Sequence, residues 1–383
     1  MHGRRSSKSS VTAGLVAGAL VLAGCGSSAS PLPSTAASSA AIVSAASPAS
    51  PTQPVSQASS PASSISPVSS PSASGATTGR LPVGRIVFDR LSGGPEGDLD
   101  GLFILGTDGK EQSVTLPGRP GFAYGVWNSD GTRLLLDTFG DATPSTVGIL
   151  DLASGNVTPI APHGLAGGLD CSDWSPDNAR VVCAYGSDQK TADGLYSVAV
   201  SGSDVTRLTH SPYHDTVGSI GECGGGENRG VYSPDGKHIA YEQQRCGTGP
   251  DPSSDEAGSI VVIGADGSSP KVVVPFGGVR THPGGEISWS PDGRLIAFGT
   301  QDGVLSVVAP DGKGLRTIPV PDTGGGSFAY GPAWSPDGRW LLVSIGSHGV
   351  SDLWAIAADG SRSIQLTADD PAEAYTDWGP TPS

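Results

Sequence analysis

The chain has 383 residues, among them 57 Gly, 32 Pro and one Met, with 36% hydrophobic side chains; this argues against a helical bundle and suits many short, half-buried strands joined by turns. The formal net charge is −15 at pH 7, and because Arg4, Arg5 and Lys8 are the only Lys or Arg among the first 24 residues, which hold no acid, the remainder sets 19 basic against 37 acidic side chains. A surface of that sign repels nucleic acid and anionic lipid, so nucleic acid is not an expected partner and no nucleic-acid-binding role is assigned.

Residues 1–24 read as a signal peptide. A basic start is followed by an apolar stretch at 11–22, shorter than the roughly 20 residues that a bilayer span requires. It ends in Leu22-Ala23-Gly24-Cys25, which resembles the lipobox of bacterial lipoproteins. The resemblance implies cleavage before Cys25, a lipid on its thiol, and attachment to the outer face of the cell membrane. Residues 25–80 would then be the lipidated cysteine and a tether. Ser, Ala, Pro and Thr dominate there, and no charged side chain occurs before Arg80. Such a segment buries too little apolar surface to offset its ordering entropy and is expected to be disordered.

From residue 81 onward the sequence repeats itself. Trp127-Asn128-Ser129-Asp130-Gly131, Trp174-Ser175-Pro176-Asp177-Asn178, Tyr232-Ser233-Pro234-Asp235-Gly236, Trp289-Ser290-Pro291-Asp292-Gly293 and Trp334-Ser335-Pro336-Asp337-Gly338 are copies of one motif, and Trp378-Gly379-Pro380 is a shortened sixth. The aromatic positions are 47, 58, 57, 45 and 44 residues apart, the spacing of four-stranded propeller blades. Pro, Ser, Asp and Gly in this order specify a tight hairpin. An apolar strand follows each copy, then a third strand, an Asp-Gly turn such as Asp266-Gly267, and a short fourth strand. Residues 85–88, 101–104 and 113–116 read as strands two to four of a blade that lacks its first, and residues 375–378 as a first strand without a blade. Joining them predicts an all-β, six-bladed propeller over 81–383, the ring closed by pairing the C-terminal first strand with the N-terminal strands. The repeated aromatics are expected to be wedges between blades.

These motifs resemble the TolB-type β-propeller repeat, a relative of WD repeats. The resemblance implies the fold and leaves function open. TolB carries an α/β domain ahead of its propeller where this chain has the tether, so its partners are not transferred. Similar propellers occur in prolyl-oligopeptidase-like enzymes, but no hydrolase domain fits here.

Four cysteines remain besides Cys25. Cys171 and Cys183 lie symmetrically about one hairpin, and Cys223 and Cys246 about the next. Antiparallel partners can reach disulfide distance, so the pairs 171–183 and 223–246 are expected, with cross-pairing between neighbouring blades as the alternative. There is no CxxC, HExxH or strict GxSxG. No catalytic residue, metal site or cofactor is assigned, and the protein is read as a non-enzyme. Candidate binding residues lie where loops enter the first strands at the channel mouth: Tyr124, His163, His214, Asp215, Glu227, Arg229, Arg280, His282 and Tyr330. The expected ligand is a protein or an envelope glycan. His163, His214 and His282 in successive entrances resemble the metal-binding histidines of oligogalacturonate-lyase propellers. The alternative function is therefore a metal-assisted lyase or hydrolase acting on polysaccharide.

Overall fold

The computed structural model describes residues 83–382 except for 93–97, 115–121, 139–145, 166–167, 187–192, 211–225, 246–256, 280–286, 300–302, 324–327, 348–349 and 369–371. The signal peptide, Cys25, the tether, Cys223, Cys246, His214, Asp215, Arg280 and His282 lie outside the described residues.

The first blade begins with β1 (Arg85–Ser92), β2 (Asp98–Leu105) and β3 (Glu111–Val114). Blade two comprises β4 (Phe122–Trp127), β5 (Arg133–Thr138), β6 (Thr146–Asp151) and β7 (Val157–Pro159). Blade three comprises β8 (Gly168–Trp174), β9 (Arg180–Gly186), β10 (Gly194–Ala199) and β11 (Val205–Arg207). Blade four comprises β12 (Gly226–Tyr232), β13 (His238–Arg245), β14 (Ala257–Gly264) and β15 (Lys271–Val279). Blade five comprises β16 (Ile287–Trp289), β17 (Ile296–Gly299), β18 (Leu305–Val308) and β19 (Arg316–Ile318). Blade six comprises β20 (Phe328–Trp334), β21 (Trp340–Ser347), β22 (Val350–Ala357) and β23 (Ser363–Gln365). The last strand, β24 (Ala372–Gly379), pairs antiparallel with β1, Ile86 opposite Trp378 and Arg90 opposite Glu373. Each sheet has four antiparallel strands, and the first reads β24-β1-β2-β3. The fold is the six-bladed ring that the repeat predicts, with no helix among the described residues.

Each hairpin forms for a local reason. In blade three Ser175 Oγ donates to Asp177 Oδ1 at 2.6 Å and accepts the Arg180 N–H at 2.9 Å, while Asn178 takes φ 59°. In blade two Asn128 replaces the serine, its Oδ1 accepting the N–H groups of Thr132 and Arg133. The motif thus satisfies the backbone donors of a tight turn with its own side chains.

Six apolar clusters fill the six interfaces between blades. Trp127 packs on Val87 and Leu102 of blade one, Trp174 on Leu135 and Val147 of blade two, and Tyr232 on Val182 and Leu195 of blade three. Trp289, Trp334 and Trp378 do the same at the remaining three interfaces. All six aromatics are buried, as expected of wedges. Cys171 and Cys183 face each other on β8 and β9, with Cα atoms 3.8 Å apart, and form a disulfide.

Candidate functional site

The inner strands β4, β8, β12, β16, β20 and β24 surround the axis, and the residue before each aromatic sits beside it. In ring order from blade two these residues are Val126, Asp173, Val231, Ser288, Ala333 and Asp377, so polar and apolar positions alternate. The polar ones tie neighbouring blades together. Asp173 Oδ2 accepts the Tyr232 N–H at 2.7 Å, Asp377 Oδ2 accepts the Trp127 N–H at 2.8 Å, and Ser288 Oγ accepts the Trp334 N–H at 3.3 Å. Two of the apolar positions offer their backbone instead. The Trp174 indole N–H donates to the Val126 carbonyl and that of Trp289 to the Val231 carbonyl, each at 3.1 Å.

Between these strands lies a cavity of about 340 Å³, lined by Ser172, Asp173, Arg229, Ser288, Thr376 and Asp377 together with Val126, Val231, Pro332 and Ala333. Ser129, Pro176 and Pro234 also line it, so it reaches the hairpin end of the ring. Both carboxyl groups are partly buried between the inner strands. Burial pushes Asp173 up to about 8 against the backbone N–H bonds from Tyr232 and Trp174 that oppose it, and the charge of Asp377 adds to the rise. Burial likewise raises Asp377 to about 6, opposed by the N–H groups of Trp127 and Trp378. At neutral pH Asp173 is therefore mostly protonated and Asp377 mostly ionised.

Of the residues singled out in the sequence, Arg229 lines this cavity. It takes φ 54° at a bulge between Asn228 and Val231. A side chain in that region costs about 1–3 kcal/mol and marks sites where the surrounding structure imposes a conformation. Blade six places Gly331, φ 59°, at the equivalent position. Glu227 is buried between blades. Its Oε2 accepts the Thr209 hydroxyl proton, while Thr209 Oγ1 accepts the Leu195 N–H at 2.8 Å. Glu373 and Thr367 repeat this strut, with Arg90 Nη2 donating to Glu373 Oε1 at 3.0 Å. Glu227 is thus placed to hold blades together. His163 is exposed, and its backbone N–H donates to the Gly202 carbonyl in the outer turn of blade three, so the chain there follows the rim and not the channel. Tyr124 and Tyr330 lie on β4 and β20; their side chains are outside the described residues.

Sequence reading missed Asp173 and Asp377 because it treated the inner strands as scaffold. The signal was available: once the aromatics are aligned, the residue before each alternates in character around the ring. Among the described residues no group of three His, Cys, Asp or Glu is arranged to hold a metal ion.

Architecture and repeat chemistry together make this chain a TolB-like β-propeller. The sequence matches no family model. It is 26% identical over 218 residues to the uncharacterized protein Atu1656 of Agrobacterium fabrum, covering 56% of this chain and 62% of that protein. It is 27% identical over 120 residues to the Tol-Pal system protein TolB of Anaeromyxobacter dehalogenans, covering 31% of this chain and 26% of that one. The chain therefore spans less than two thirds of either relative. Among solved structures, TolB from Acinetobacter baumannii superposes with a TM-score of 0.54 at 18% identity, over 78% of this chain and 67% of that one. A chain of the nidogen/laminin complex also reaches 0.54, at 9% identity, over 77% and 98%. At such identities the likeness is one of fold.

Proposed function

We propose that this protein is a lipid-anchored envelope protein whose propeller acts as a binding scaffold and not as a catalyst, holding a protein or envelope-glycan ligand at the ring axis. The observation that carries the reading is the axial cavity. It is walled by inner strands from all six blades and fixed by hydrogen bonds between blades, and it presents carboxyl, hydroxyl and guanidinium groups beside apolar walls. Concave, preformed and mixed in polarity, it has the character of a binding site. The lipobox-like string ending at Cys25 and the tether that follows support an extracytoplasmic location at the end of a long leash. The likeness to TolB supports a binding role without naming a partner.

Photo-cross-linking in intact cells tests this, with the reactive residue placed at Val126 beside the cavity or at His163 on the rim. The reading expects a discrete adduct from position 126 and none from 163. Adducts from the rim alone would contradict it. Stoichiometric metal in the purified chain would favour the polysaccharide lyase or hydrolase instead.

A further inference from the structure

We propose that the axial cavity receives an organic cation, a primary ammonium on an aliphatic stem, between the carboxyl groups of Asp173 and Asp377. This rests on the binding reading above and names its ligand class. The first argument comes from comparing equivalent positions in one ring. Ser288 accepts the Trp334 N–H just as Asp173 and Asp377 accept those of Tyr232 and Trp127. A neutral hydroxyl therefore suffices to tie blade to blade, and the two carboxyl groups bring an acidity that the tie does not require. An ionised carboxylate shielded from bulk water is costly unless a cation compensates it, and a cationic ligand at the axis would supply that compensation.

The second argument is the pattern of the walls. Blades one, three and five present Thr376 with Asp377, Ser172 with Asp173, and Ser288. Blades two, four and six present Val126, Val231 with Arg229, and Pro332 with Ala333. Hydroxyls and carboxyls can surround an ammonium group, whose three N–H bonds each need an acceptor, while the alternate walls pack against methylenes. The volume of about 340 Å³ exceeds what a bare metal ion fills, and among the described residues no group of three His, Cys, Asp or Glu is arranged to hold one. Arg229 of blade four stands two residues farther from the hairpin than the acids and lines the same cavity. Asp377 already acts on Asp173 electrostatically; a cation between them relieves that repulsion and draws the proton off Asp173.

The test is calorimetric titration of the purified full chain at neutral pH, in two buffers of different ionisation heat. The probes are n-pentylamine, pentan-1-ol, and a peptide with blocked termini and one Lys. The amine should bind saturably with release of protons, and the alcohol should not. The variant carrying both D173N and D377N keeps the N–H acceptors, and its melting curve verifies the fold. Its affinity for the amine should fall by about tenfold or more, and its proton release should vanish. Tighter binding of the peptide than of the amine would identify a lysyl side chain as the source, and the reverse order a free amine. Absence of saturable amine binding by the native chain, or undiminished binding by the double variant, would overturn the proposal. If the adduct at position 126 forms in cells with the double variant as with the native chain, the scaffold reading stands and the cation site falls.

Discussion

Asp173 and Asp377 show how one residue position can serve both cohesion and recognition. Each accepts a backbone N–H from the next blade, and each is raised by burial. A carboxyl group whose folded pKa lies above its unfolded value binds its proton more tightly in the native state. Its contribution is most favourable below the ordinary carboxylate range and is lost as pH rises through the folded value. For Asp173 the loss spans pH 4 to about 8. Asp173→Asn should therefore raise stability at pH 8 by about 1–4 kcal/mol and leave it nearly unchanged at pH 4, which chemical denaturation at the two pH values measures. Equal effects at both would remove burial of the charge as the cause. The struts follow different logic. Thr367→Val keeps the shape but removes both hydrogen bonds, leaving the Leu353 N–H and Glu373 short of a partner. The expected cost is about 1–3 kcal/mol in denaturant unfolding. Neither strut was visible in the sequence, because Thr209 and Glu227 meet across a blade boundary and no local pattern links them.

At the scale of the element, the hairpins were legible because their chemistry is local: a serine or asparagine, an aspartate, and a residue that accepts positive φ, all within five positions. The outer turns add a contact that is not local. Gly267, φ 83°, lies so close to the preceding blade that a Cβ would stand 2.4 Å from the Leu208 carbonyl oxygen. Gly267→Ala should destabilise by more than about 1 kcal/mol, since backbone conformation and close approach both oppose the added carbon; a thermal melt checks it. The pairing of Cys171 with Cys183 was readable from symmetry about the hairpin, because cysteines equidistant from a tight turn fall opposite one another in an antiparallel ladder. Peptide mapping without reductant should recover that link, and replacing both cysteines with Ala should cost about 2–4 kcal/mol. The same arithmetic proposes Cys223–Cys246 for blade four. His163 follows a fourth strand, and its backbone is tied to the outer turn at Gly202, a route that spacing does not encode.

At the scale of the folded unit, one strand determines whether six blades make a ring. β24 supplies the inner strand of the first blade, sets Trp378 into the cluster shared with blade six, and carries Asp377 to the N–H of Trp127. Its indole N–H also donates to the Val83 carbonyl at 2.7 Å. The termini of the unit thus meet in one sheet, in which β1 is paired on both sides. Outside that unit, Cys25→Ser should abolish lipid labelling and release the protein from membranes, a fractionation result that bears on the proposed anchor alone. The ring itself is tested by removing residues 372–383 and following thermal unfolding. The account predicts that the truncated chain melts lower and over a broader range, since β1 loses one of its two partners and blades one, two and six lose their shared contacts. A truncated chain that melts as sharply and as hot as the intact one would show that the blades hold without closure.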